Sequence, residues 1–208
     1  MAKDVRVCGF QALLFGRPEL QVFGPDRGRA CLAYLAKVCD VASWCGARTL
    51  VFGSPKNRVR GGYNAADGVT FFRELGGIAV ERGVVICVEA NPAVYGADYL
   101  LTSREVAALV LEVDSPGVRM NLDTGELTTN GGDVEAILRE VMPLVAHVHV
   151  SEPFLAPLNP SNPVHQVTAE ALRGYEGFVS LEMKVPEGGL EVVEQSLKEM
   201  LRIYLSQT

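Results

Sequence analysis

Four residues of this 208-residue chain have the types and the spacing to hold one divalent cation: Glu89, Asp123, His149 and Glu182. They stand in the segments VICVEA, RMNLDTGE, HVHVSEP and VSLEMK, each near the end of a short apolar run. The intervals between them are 34, 26 and 33 residues, each close to the length of one strand–helix–strand repeat. A lone Glu at a strand end serves equally well as a helix cap or half of an ion pair. Four such residues gathered together behave differently. Three carboxylates brought close without a cation suffer like-charge repulsion and desolvation, which Lys184 alone could not neutralise. Three carboxylates and one imidazole make an oxygen-rich donor set that suits Mn²⁺, Mg²⁺, Co²⁺ or Zn²⁺ better than a thiolate metal.

The elements that must position these residues follow from the apolar pattern. Val-, Ile- and Leu-rich runs at 5–14, 49–53, 84–90, 118–123, 147–151 and 178–183 read as six strands. Stretches of helical period lie between and after them, at 28–45, 66–82, 103–113, 132–142, 168–174 and 189–206. Runs that are apolar throughout belong to parallel strands covered on both faces, and successive crossovers wind in one sense. The reading is α/β, and the chelating residues at successive strand ends favour a TIM-type (β/α) barrel over an open sheet, because a barrel gathers strand C-termini around one centre. About six parallel strands are visible where such a barrel has eight, in one domain over 1–208. Residues two apart in a strand share a face, which gives inward rows of Cys87, Glu89 and Asn91; Asn121 and Asp123; His147, His149 and Ser151; Ser180, Glu182 and Lys184.

Composition bounds the function. Hydrophobic residues make up 48% and charged residues 21%, and no apolar run is long enough to span a membrane. The start, Met-Ala-Lys-Asp-Val-Arg, lacks the apolar core of a secretory signal, so a cytoplasmic location is expected. A net charge of -6 argues against binding that depends on neutralising nucleic-acid phosphates. Five cysteines, an odd number without a CxxC pair, read as reduced, buried thiols. Lys56 and Arg58, in a loop directly after a strand, together with Lys184 could hold a phosphate or carboxylate at the barrel mouth. Gln11 and Asn91 are candidate hydroxyl binders. His165, in PSNPVHQV, is either a helix-entry residue or a substrate contact. His147 lies deeper than His149 and reads as a core or supporting residue, and Trp44 reads as helix packing.

The ordered segments around Glu89, Asp123, His149 and Glu182, with VFGSPKNR and FQALLFGRPEL, resemble the xylose isomerase-like TIM-barrel group over nearly the whole chain. That group includes sugar phosphate isomerases/epimerases, ketose 3-epimerases and the endonuclease IV branch. The resemblance implies a divalent-metal-dependent isomerase or epimerase acting on a sugar or sugar phosphate by proton abstraction beside a carbonyl. It assigns Glu89 and Glu182 as the acid/base pair on opposite sides of the substrate, with Asp123 and His149 mainly holding the ion. It also implies that about two βα units of the eight-unit barrel are absent before the first strand, leaving edges at 5–14 and 178–183 that a homodimer or a partner chain would cover. Glu126 stands where the epimerases carry a histidine, and three histidines are too few for a three-zinc nuclease. A metal-dependent hydrolase or lyase, or a non-catalytic barrel remnant, are the alternatives.

Overall fold

The structure, a computed structural model, describes residues 5–205. Six strands form one parallel sheet in sequence order: β1 (Gly9–Phe10), β2 (Thr49–Phe52), β3 (Val85–Glu89), β4 (Val118–Asp123), β5 (Val145–Val150) and β6 (Phe178–Leu181). The helices are α1 (Arg29–Trp44), α2 (Ala65–Glu81), α3 (Ser103–Val113), α4 (Thr124–Asn130), α5 (Val134–Val141), α6 (Pro163–Ala171) and α7 (Gly189–Leu205). The sheet curls, and the Cα atoms of β2 and β5 approach within 8 Å of each other across the concave side. The result is a half-barrel with flanking helices, the incomplete TIM barrel expected. Within the described residues β1 and β6 are its two edges, and they do not pair with each other.

Strand alternation divides the side chains as expected. Leu50, Phe52, Ile86, Val88, Met120, Leu122 and Val148 point outward into the main core, where they meet Leu35 and Cys39 of α1 and Phe71, Phe72 and Leu75 of α2. The concave side receives the polar set instead. Register pairs Glu89 with Asn121, Asp123 with His149 and His149 with Ser180, so successive strands deliver polar residues to adjacent levels at the same end of the sheet.

Several expectations need correction. The first strand is two residues long rather than ten, because Ala12 takes a left-handed φ of 52° and the chain turns there. Leu13 and Leu14 then enter the core from a loop. Helix α6 begins five residues earlier than the periodicity indicates. Asn162 accepts the Val164 N–H at 3.1 Å, and Pro163 occupies the first helical position, where no amide donor is needed. Helix α4 was not expected at all, although Asp123-Thr-Gly-Glu126 carries the spacing of a capping box. Trp44 does not pack: it is 83% exposed, standing off the buried stripe of Cys31, Leu35, Cys39 and Ala42. Of the five free cysteines, Cys31, Cys39 and Cys87 are buried, Cys8 is half-buried and Cys45 is exposed. Burial pushes the Cys31 and Cys87 thiols up to about 12, which leaves them unreactive. No helix among the described residues is long and apolar enough to cross a membrane.

Candidate metal centre

Glu89, Asp123, His149 and Glu182 each offer one ligand atom, and these four atoms all lie within 4.8 Å of one another. Glu89 ends β3, Asp123 ends β4, His149 is the next-to-last residue of β5, and Glu182 follows β6, its N–H still donating to the Val150 carbonyl at 2.9 Å. His149 Nδ1 is 3.0 Å from Glu89 Oε2 and 3.3 Å from Glu182 Oε2. Neither contact has hydrogen-bond alignment, so this buried nitrogen sits at ion-pair distance from two carboxylates without an aligned hydrogen bond. Three carboxylates and an imidazole nitrogen converging on one point form a donor set that a hard divalent cation fits.

The surrounding residues orient the ligands. Asn91 and Asn121 donate from their amide groups to Glu89 Oε1 and Oε2, at 3.0 and 2.7 Å. Ser151 Oγ donates to Asp123 Oδ2 at 2.8 Å, while Asp123 Oδ1 accepts the Glu126 N–H at 2.6 Å and so also caps α4. Close approach is secured by two glycines. A Cβ on Gly53 would lie 2.8 Å from Glu89 Oε1, and one on Gly125 would lie 2.5 Å from Ser151 Oγ and 3.1 Å from Asp123 Oδ1. These positions admit no side chain without displacing the ligands.

The electrostatics reflect an excess of buried negative charge. Burial and the neighbouring Glu89 push Asp123 up to about 8. Burial opposes protonation of His149, but Glu182 and Glu89 outweigh it and push the imidazolium up to about 10. Burial also opposes ionisation of Glu89, yet His149, Asn91 and Arg58 hold it below the ordinary range. Without an ion, protons supply the compensating charge; with one, they leave.

The other expected site residues fall into different places. Asn91 and Lys184 join Glu89, Asp123 and Glu182 in lining a cavity of about 310 Å³, a volume suited to a small ligand. Two larger hollows, of about 490 and 400 Å³, hold none of the four ligands. Arg58 does not face the cavity. Its guanidinium is fully buried and donates to the Glu89 carbonyl at 2.7 Å and the Leu100 carbonyl at 3.3 Å, tying the end of β3 to the loop before α3. Lys56 is exposed and lies outside the cavity wall, and Gln11 borders a separate hollow of about 130 Å³ with His147, His149 and Ser180. His165 is fully buried between Glu152 and Tyr204, at 2.9 Å from each. His147 supports His149, their rings edge to face at 5.2 Å. Burial, with His149 alongside, pulls its own pKa down to about 4.

The cavity wall also includes Tyr95, Glu152 and Phe154, which the sequence reading did not single out as site residues. All three stand beyond strand ends, where alternation no longer predicts direction.

Comparison with known proteins agrees with this architecture. The family model for the xylose isomerase-like TIM barrel matches residues 4–204. The chain belongs to that family. Among solved structures it is similar to D-psicose 3-epimerase from Clostridium cellulolyticum H10, with a TM-score of 0.72 and 18% identity over 88% of this chain and 72% of that one. A D-tagatose 3-epimerase-like protein gives 0.77 and 19%, covering 98% and 80%. A xylose isomerase-like TIM barrel protein from Mycobacterium smegmatis, in complex with magnesium, gives 0.73 and 20%, covering 97% and 74%. At these identities the likeness carries the fold. No curated protein matches the chain.

Proposed function

We propose that this chain is a divalent-metal-dependent isomerase or epimerase acting on a sugar, through proton abstraction next to a carbonyl. The observation that carries the reading is the convergence of Glu89, Asp123, His149 and Glu182 on one point within 4.8 Å, with Glu89, Asp123 and Glu182 lining a cavity of small-molecule size. Sugar epimerases among the similar structures support the substrate class, and the magnesium complex of another similar structure, the xylose isomerase-like TIM barrel protein, supports the kind of ion.

The site residues divide the work. Glu89, Asp123, His149 and Glu182 would hold the ion. A bound divalent cation acidifies the carbon beside a carbonyl by polarising the carbonyl oxygen. Glu89 and Glu182 reach the centre from β3 and from beyond β6, on either side of His149, and serve as the acid/base pair. One glutamate, as the carboxylate, takes the proton from the carbon, and the electron pair moves toward the carbonyl oxygen. The other glutamate, entering the step in its acid form, gives its proton to the opposite face of the carbon, so that the two exchange protonation states. The stereocentre inverts with no net proton consumed. Asn91 and Asn121 hold the Glu89 carboxylate in place, and Ser151 does the same for Asp123.

Solvent-deuterium incorporation tests the reading. In D₂O with Mn²⁺, Mg²⁺ or Co²⁺ present, a substrate ketose acquires label at the inverted carbon. The variant Glu182→Gln, kept metal-loaded by raising the ion concentration to offset the lost ligand charge, loses this wash-in. Full turnover by a metal-loaded Glu182→Gln protein would remove Glu182 from the acid/base pair, and absence of label from every ketose would overturn the reaction class.

A further inference from the structure

The cavity over the metal centre has two unlike ends. At its floor are the carboxylates of Glu89, Asp123 and Glu182; its outer wall is built from Pro55, Pro92, Tyr95, Phe154 and Leu155. Tyr95 and Phe154 form one unit from two loops that are 59 residues apart in sequence. The Phe154 N–H donates to the Tyr95 hydroxyl at 2.8 Å, and the rings meet edge to face at 5.4 Å. Phe154 and Leu155 hold successive left-handed conformations, with φ of 59° and 57°, which residues bearing a Cβ adopt only where surrounding contacts impose it. The Leu155 carbonyl is held by the Lys184 N–H at 2.9 Å. This loop presents an aromatic face that is 56% exposed at Phe154, next to a site otherwise rich in charge.

Positive charge is nearly absent from that outer end. Arg58 is spent on two main-chain carbonyls and Lys56 lies outside the wall. Among the described residues lining the cavity, Lys184 is the cation, and it is exposed. Glu152 adds a fourth carboxylate to the same wall. A phosphate dianion at the distal end of a substrate would meet the Glu152 carboxylate, one solvated ammonium and an apolar surface, with no guanidinium fork to receive it.

Resting on the proposed reaction class, we infer that Phe154 and Tyr95 are specificity-determining residues, and that the site takes an unphosphorylated sugar whose end distal to the carbonyl is apolar, a terminal-deoxy sugar. The methyl terminus packs against the Tyr95–Phe154 pair while the carbonyl end reaches the metal centre. An apolar pocket discriminates only modestly against an added hydroxyl, so the parent sugar is a weaker ligand and the phosphate ester a much poorer one.

Two measurements on the metal-loaded protein test this. The first is binding of three unreactive alditols by calorimetry: a 6-deoxyhexitol, the parent hexitol and its 6-phosphate. The expected order is deoxy over parent by about tenfold, with the phosphate weaker than both. The variant Phe154→Ala brings the first two together. The second is deuterium wash-in for the matching 2-ketohexoses, where the order of kcat/KM follows the order of binding. Equal or tighter binding of the phosphate overturns the inference, as does unchanged discrimination in Phe154→Ala or failure of all three alditols to bind. An intact binding order with no label in any ketose leaves the substrate class standing and removes the reaction class instead.

Discussion

Among the described residues, the Glu152–His165 and Glu89–His149 carboxylate–imidazole pairs are of almost the same length, and they differ in what surrounds them. Glu152 Oε1 and His165 Nε2 are 2.9 Å apart, and Glu89 Oε2 and His149 Nδ1 are 3.0 Å apart. Around the first, the hydrogen bonding is complete. The other His165 nitrogen meets the Tyr204 hydroxyl at 2.9 Å, and Glu152 also accepts from the Asn159 N–H at 2.9 Å and from the Asn162 amide at 3.0 Å. These bonds outweigh burial and hold Glu152 below the usual carboxylate range. Around the second, His149 Nδ1 has no aligned partner, and the Asn91 and Asn121 amide oxygens are also unpaired. Two further carboxylates crowd the same point. A satisfied pair holds the fold together, whereas an unsatisfied one leaves donor atoms free for something else. The contrast is the physical basis for placing the candidate metal centre at His149 and a structural clamp at His165.

The largest effects separate the two pairs by mutation. Asp123→Asn removes a charge from the crowded cluster and keeps the side-chain shape. Substitutions that merely orient metal ligands cost about 10–100-fold in affinity, so loss of a ligand charge is expected to weaken divalent-ion binding beyond that range. The metal-free protein gains thermal stability near pH 9, because a carboxylate raised to about 8 destabilises the fold once ionised. His165→Ala does the reverse. It leaves Glu152 buried without its imidazole partner, costs about 3 kcal/mol, and leaves metal affinity unchanged. Melting curves and metal titrations on both variants make the cross-comparison. A large loss of metal affinity in His165→Ala would erase the distinction.

A smaller effect follows from pH. In the metal-free protein the folded-state pKa of Asp123 rises from 3.8 to about 8, and that of His149 from 6.5 to about 10. Both groups bind more protons folded than unfolded within those intervals, so stability falls as pH rises. The melting temperature of the metal-free protein is expected to decline from about pH 5 to about pH 9. A saturating divalent ion replaces the protons and flattens that decline. A metal-free melting temperature that stays level or climbs over this window would show that the cluster is not short of positive charge.

The centre of this site was legible in the sequence because it lies on strands. Alternation fixes which residues face inward, and intervals close to one βα repeat bring Glu89, Asp123, His149 and Glu182 to the same end of successive strands. What lay beyond the strand ends was not legible. Arg58 and Lys56 are two residues apart in one loop, yet one is buried against main-chain carbonyls and the other is exposed. The Glu152–His165–Tyr204 chain joins three elements separated by 13 and 39 residues, and no local pattern encodes such a contact. The start of α6 and the presence of α4 were encoded locally, in Asn162-Pro163 and in Asp123-Thr-Gly-Glu126, where capping geometry mattered more than apolar period.

The smallest effect concerns Glu126, which stands where the resemblance to the epimerases implies a histidine. Its carboxylate is buried and follows the pattern of Glu152 rather than that of Glu89. The Ser103 N–H and hydroxyl donate to it at 3.2 and 2.5 Å, and the Asn130 amide donates at 2.8 Å. Burial raises its pKa, while those donors work in the opposite direction. Its contact with the centre runs through the main chain, whose N–H caps Asp123. That N–H is retained by any residue except proline, so Glu126→Gln keeps the Asp123 carboxylate in place and perturbs only the tie between α3 and α4. One donor then faces an amide NH₂ instead of an oxygen, at a cost of about 1 kcal/mol, read as a small drop in melting temperature with metal affinity held within about twofold. A tenfold loss of metal affinity in Glu126→Gln would move this carboxylate into the metal centre, and hydrogen-bond satisfaction would no longer separate ligand from clamp.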